Sequence, residues 1–247
     1  MSDLLVLKDV TAGYVADIDI LRDVNVSVAA GAITGLIGLN GAGKSTIMKT
    51  ICGFLHPRSG TIAFDGEDIT TIPPHQVIDR GIYYIPQESS LFPYMSVEDN
   101  LRLPLEHLSR TKGVPGRTEM ASRFDDMFKN FPVLRERRRA HAGDLSGGQQ
   151  KMLEFAKAYL LRPRLCLIDE PSIGLAPKIA EEVYRWIGLF ARQRTAILLI
   201  DHNVRRVVAM SAFVYVLSLG EITAAGPTEA FAGDLHEQVK TWLGINL

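Results

Sequence analysis

The chain has 247 residues, with 27 Lys and Arg against 28 Asp and Glu, so its net charge at pH 7 is −1. That length fits one large domain, or one domain with small subdomains grafted on; 47% hydrophobic and 22% charged residues are ordinary for a soluble globular protein that buries a real core. The balanced charge favours neither nucleic acid nor an anionic membrane surface as partner, so no nucleic acid is expected.

The two cysteines, Cys52 and Cys166, each lie in an apolar run and read as small buried hydrophobes in a reducing compartment, not as a disulfide or metal ligands. Met1–Val10 carries acids and no long apolar stretch, so it does not read as a signal peptide. No run of about 18 apolar residues occurs, and the most apolar segments, Ala196–Ile200 and Phe213–Leu219, are strand-sized. A membrane role is therefore expected only through a partner.

In chain order, Leu4–Val10 and Val24–Val28 alternate as strands do. Ala32–Gly38 runs into a Gly-rich turn, and a helix opens near Lys44 with Ile47, Ile51 and Leu55 on one face and Gly53 and Pro57 at its end. Gly60–Phe64 ends in an Asp65-Gly66 turn, and Ile82–Ile85 is a short buried strand. From Leu91 to Arg139 the pattern is helical, broken by Pro, Gly and charge around Thr111–Gly116, as in a small α-helical insertion. It closes on a basic knot, Arg135, Arg137, Arg138 and Arg139, which reads as a solvated helix face. Helix Gln150–Leu161, strand Leu165–Ile168, helix Ile179–Ala191, strand Ala196–Ile200 and helix Val204–Met210 then alternate. The first of these helices reads as amphipathic, with Met152, Leu153, Ala156 and Leu160 on one side. Phe213–Leu219 and Ile222–Ala225 form a closing hairpin across Gly220-Glu221. Continuous Leu/Ile strands alternating with helices predict an α/β fold with a mostly parallel sheet covered on both faces.

Three segments carry chemistry. Gly38-Leu39-Asn40-Gly41-Ala42-Gly43-Lys44-Ser45 matches the P-loop pattern, which arises by chance in about one chain per hundred of this length, and here it joins a predicted strand to a predicted helix. Glycines free the backbone to aim the amides of Asn40, Gly41, Ala42 and Gly43 inward as an anion nest at the helix N-terminus. Lys44 then reaches the β- and γ-phosphates of ATP, Ser45 offers its hydroxyl to Mg²⁺, and Thr46 sits at the α-phosphate. Leu165–Ile168 ends in Asp169 and Glu170: the strand-end Asp suits the Mg²⁺ shell, and Glu170, at the sheet edge where ligands bind, suits polarisation of the attacking water. Leu145-Ser146-Gly147-Gly148-Gln149 places a hydroxyl and two small glycines at a helix N-terminus, which suits a second phosphate contact.

That last pentapeptide resembles the signature motif of ABC ATPases. By this resemblance the fold is a P-loop NTPase core with an N-terminal antiparallel β subdomain and an α-helical insertion. The whole chain is then one ABC ATPase domain, with the P-loop core and β subdomain in 1–90, the helical subdomain and signature in 91–160, and the rest of the core sheet and a C-terminal hairpin and helix in 161–247. The resemblance also implies a head-to-tail dimer, with a second copy or a sister ATPase, in which Ser146, Gly147 and Gly148 act on the partner's ATP. Tyr14, in Ala12-Gly13-Tyr14, looks like the aromatic residue that stacks on adenine. Gln87, after Ile85-Pro86, resembles the glutamine that joins Mg²⁺ coordination and couples to the membrane subunit, and His202, after Asp201, resembles the switch histidine at the γ-phosphate.

One departure is visible. Ser172-Ile173-Gly174-Leu175-Ala176-Pro177 follows the catalytic strand, with Ala176 where many ABC ATPases carry an inter-subunit Asp. With Pro86-Gln87, Ser96-Val97-Glu98-Asp99-Asn100-Leu101 and the ending Val239–Gly244, this stretch looks like the ATPases of branched-chain amino acid importers, nearest the second of their two ATPase subunits. The resemblance implies a peripheral protein on the cytoplasmic face of the inner or cell membrane, two transmembrane permease subunits, and a periplasmic or extracellular solute-binding protein acting indirectly. A lipopolysaccharide-type exporter ATPase and a soluble ABC ATPase of iron–sulfur assembly share the layout.

Overall fold

A computed structural model describes residues 3–112 and 117–231 of the chain. Strand alternation builds the first sheet. β1 (Asp3–Ala12) and β2 (Leu21–Ala29) pair antiparallel and bury Leu5, Leu7, Val10, Val24, Val26 and Val28. β4 (Ser59–Phe64) takes the other edge of β1, and β5 (Glu67–Asp68) folds back on β4 through Asp65-Gly66, both at positive φ as a tight hairpin requires.

The second sheet has the order β10-β9-β3-β8-β7-β6. β3 (Ile33–Gly38), β6 (Ile82–Ile85), β7 (Leu165–Asp169), β8 (Ala196–Ile200) and β9 (Phe213–Ser218) are parallel, and β10 (Glu221–Pro227) returns antiparallel on β9. Every residue of β7 and β8 is buried, because both faces are covered. Ile37, Cys166, Ile168, Ile197 and Leu199 join a core with the helices; Leu36, Leu165, Leu167, Leu198 and Ile200 join a second core with the antiparallel sheet and α1 (Lys44–Ile51).

A four-residue helix, α2 (Pro74–Val77), precedes β6. The crossover from β6 to its neighbour β7 holds α3 (Val97–Lys112), α4 (Arg117–Asn130), α5 (Pro132–Glu136) and α6 (Gly147–Leu161). α7 (Pro177–Arg192) joins β7 to β8, and α8 (Val204–Met210) joins β8 to β9. Phe131, Phe155, Tyr159, Trp186 and Phe190 form one ring cluster with centroids 5.5 to 6.3 Å apart, welding the helical insertion to α7. Among the described residues no helix is long and apolar enough to cross a membrane.

The α/β class and the order of the main elements match the sequence reading, with local corrections. α1 stops at Ile51, so Leu55 lies beyond the helix instead of on its face. α6 begins three residues earlier than expected and is not amphipathic: Leu153 to Leu161 are all buried, Glu154 and Lys157 included, since it is enclosed by the sheet and its neighbouring helices. Residues 91–96 are non-helical, and of the basic knot only Arg135 lies in α5; all four arginines are exposed. The closing hairpin turns at Leu219-Gly220, both at positive φ, one residue before the expected pair. The Val239–Gly244 ending and the expected C-terminal helix lie outside the described residues.

Phe155→Ala empties the centre of the ring cluster and is expected to lower unfolding free energy by about 3–5 kcal/mol in a urea melt; an unchanged midpoint would contradict this packing. Both cysteines are buried in opposite cores, and burial pushes the Cys52 thiol up to about 12 and the Cys166 thiol up as well. A thiol-specific dye at pH 8 should therefore label the native chain at neither position and the urea-unfolded chain at both.

Candidate nucleotide site

The site is assembled where β3, β7 and β8 end. The backbone turns out of β3 through Leu39 to Gly43 and enters α1, whose N-cap, Gly43, has φ 109 and provides no side-chain cap. Any side chain there would be strained, and its Cβ would stand 2.9 Å from Leu21 Cδ2. The uncapped first-turn amides, with the helix dipole behind them, are an anion site. Lys44, nearly buried, donates from Nζ to the carbonyls of Gly38 and Leu39 at 3.0 Å each and lies 3.7 Å from Glu170 Oε1.

Asp169 ends β7 with its side chain buried. The Tyr84 hydroxyl donates to its Oδ2 at 3.1 Å, while Oδ1 is buried without a hydrogen-bond partner. Burial, reinforced by the Asp169 charge, pushes the Tyr84 hydroxyl far up, so it is a neutral donor. Glu170 follows at φ 44, and its N–H donates to Ile200 O at 2.9 Å, which locks the exit from β7 to the end of β8.

Two adjoining clefts converge here. One, of about 460 Å³, is lined by Tyr14, Asn40, Gly41, Gly43, Lys44, Ser45, Thr46, Gln87 and Glu170, together with Ile20 and Ile173. The other, of about 520 Å³, shares Tyr14, Ser45 and Gln87 and adds Asp169 and Tyr84. Tyr14 is exposed, and its ring faces Lys49 Nζ at 5.5 Å. Its loop is braced by Arg58, which bonds Asp19 and the Val15 and Ile18 carbonyls; a Cβ at Gly13 would fall 1.8 Å from Ile18 O.

Five expected residues lie off these clefts. Ala42 is buried and lines neither. His202 is exposed beside Asp201, with Nδ1 3.2 Å from Oδ1. Ser146 caps α6 in a reciprocal capping box with Gln149, and neither it nor Gly147 nor Gly148 lines either cleft. Within one chain, therefore, the signature segment lines neither of the two clefts around the P-loop.

Four contributing residues carry little signal in the sequence. Asp201 is buried and accepts from the Ser172 hydroxyl and amide, the Tyr184 hydroxyl and the Asn203 amide, so it ties the segment after β7, α7 and the His202 turn together. Tyr84 sits in no motif. Glu154 and Lys157 of α6 hold both main-chain groups of Ser90, accepting its N–H at 2.8 Å and donating to its carbonyl at 3.2 Å. Ser90 lies three residues past Gln87, so α6 is fastened to the Gln87 loop.

Comparison with known proteins identifies the family. The family model described as ABC transporter matches residues 21–173. The chain is 34% identical, over 87% of its length and 89% of the relative, to the high-affinity branched-chain amino acid transport ATP-binding protein BraG of Pseudomonas aeruginosa. It is 35% identical, over 87% and 88%, to the probable branched-chain amino acid transport ATP-binding protein LivF of Archaeoglobus fulgidus. It is 33% identical, over 95% and 94%, to the lipopolysaccharide export system ATP-binding protein LptB of Acidithiobacillus ferridurans. A solved ATP-binding subunit of an ABC transporter superposes with a TM-score of 0.85 at 28% identity, covering 97% of this chain and 99% of that one. The chain belongs to the ATP-binding subunits of ABC transporters, a family of ATP hydrolases.

Proposed function

We propose that this ATPase powers import of branched-chain or other amino acids, attached to the cytoplasmic face of the inner or cell membrane through two permease subunits and paired with a second copy or a sister ATPase. A solute-binding protein outside the membrane would deliver the cargo. The observation that carries the ATPase chemistry is the convergence of Lys44, Ser45, Gln87, Asp169 and Glu170 on two adjoining clefts at one edge of the sheet. The importer reading draws on the Ser172–Pro177 stretch and on the BraG and LivF relatives.

In this reading the P-loop amides cradle the phosphates of ATP while Tyr14 faces the adenine. An arriving phosphate exchanges for the Gly38 and Leu39 carbonyls on Lys44, leaving its charge for the β- and γ-oxygens. Glu170, held by its backbone bond to Ile200, orients the attacking water, and His202, steadied by Asp201, stabilises charge on the γ-phosphoryl group. Ser146, Gly147 and Gly148 close on the same nucleotide from the facing ATPase, which accounts for their distance from the clefts of their own chain. Asp169 fits a metal, since its buried Oδ1 lacks any protein partner, and with Ser45 and Gln87 it would hold Mg²⁺. When bound, that ion neutralises charge on the phosphate oxygens.

Lipopolysaccharide export is a second reading, favoured by the LptB relative's coverage of 95% of the chain. Purification of the ATP-trapped Glu170→Gln variant from native membranes separates them. Two permeases and a sister ATPase support import; the permeases of an exporter overturn it; soluble partners alone overturn transport. Lys44→Ala should weaken ATP binding at least about tenfold. Glu170→Gln should bind ATP normally and hydrolyse it about 10²–10⁴-fold more slowly. Unchanged binding in the first variant contradicts the cradle, and near-normal turnover in the second contradicts the role of Glu170.

A further inference from the structure

Tyr84 lies on β6, directly opposite Leu167 of β7 in a parallel register. Side chains alternate with period two, so Tyr84, Leu167 and Asp169 share one face of the sheet, and the phenol reaches diagonally to the strand end. Its hydroxyl occupies Asp169 Oδ2, and the other oxygen is left buried and unpartnered. The same ring is part of the wall between the cleft holding Ser45, Gln87 and Asp169 and a neighbouring groove of about 500 Å³ lined by Ser90, Phe92, Leu103, Pro104 and Lys157.

We propose that Tyr84 is a positioning residue for the metal-holding carboxylate: its hydrogen bond fixes the Asp169 side chain so that Oδ1 alone is presented to the Mg²⁺ that accompanies ATP. The inference rests on the reading that Asp169 holds the metal. A carboxylate with two free oxygens rotates between equivalent poses, and one anchored by a neutral donor does not. Anchors of this kind around metal ligands are worth about 10- to 100-fold in metal affinity. Asp169 would share the ion with phosphate oxygens, which places the effect at the lower end.

Tyr84→Phe removes the hydroxyl and keeps the ring. Binding of a fluorescent, non-hydrolysable ATP analogue is measured in EDTA and across a Mg²⁺ titration for the parent, Tyr84→Phe and Asp169→Asn. The expected result is unchanged affinity in EDTA and a Mg²⁺ midpoint raised about tenfold in Tyr84→Phe. An unshifted midpoint in Tyr84→Phe, with a shifted one in Asp169→Asn, overturns the role of Tyr84 alone. Unshifted midpoints in both overturn the metal reading of Asp169 and this inference with it. Equal loss with and without Mg²⁺ in Tyr84→Phe shows a general disturbance of the site and likewise overturns it.

Discussion

The nucleotide site depends on one constraint, the parallel register of β3, β8, β7 and β6. Asp169 stands opposite Ile200, Ile168 opposite both Leu199 and Ile85, and Gly35 opposite Leu199. The strands therefore release the P-loop, the Asp169-Glu170 pair, the Asp201-His202 turn and the Gln87 loop along the same sheet edge. Because β7 and β8 are buried on both faces, a slip of one residue would exchange two complete sets of core side chains and turn Asp169 toward the helical core. The apolar packing that fixes the register thus also fixes the positions of the acids.

α6 transmits that order to the signature segment. At its start the Ser146–Gln149 capping box shapes Ser146, Gly147 and Gly148; near its middle Glu154 and Lys157 grip Ser90. Glu154 is also bonded to Lys151 at 2.7 Å, while burial pushes the Lys157 ammonium down and Glu154 draws it back up. Buried charges are costly to unpair, so these bonds hold the Gln87 loop against the signature helix. This connects the Gln87 loop with the segment proposed to meet the facing ATPase's nucleotide.

Much of the fold was legible because its signals are local. The P-loop, the Leu165–Ile168 run into Asp169 and the short strands Ile82–Ile85 and Ala196–Ile200 are read from consecutive residues, and both of those strands fall where expected. What failed depended on tertiary context. An amphipathic stripe was expected on α6, but enclosure on nearly every side buries Glu154 and Lys157 too. Asp201 and Tyr84 act through partners 29 and 85 residues away, Ser172 and Asp169, which no spacing rule reaches. Ala176 was legible as a departure, and it forms the N-cap of α7 without a side-chain hydrogen bond, where an Asp would have supplied one.

The central claim is that ATP is held between the P-loop of one ATPase and the signature segment of the facing one. The most direct test is the structure of the Glu170→Gln variant trapped with ATP and purified with the ATPase it pairs with. The account predicts ATP phosphates on Lys44 and Ser45 of one subunit and on the signature Ser-Gly-Gly of the facing one. ATP bound by a single chain, with Ser146, Gly147 and Gly148 left in solvent, would contradict it.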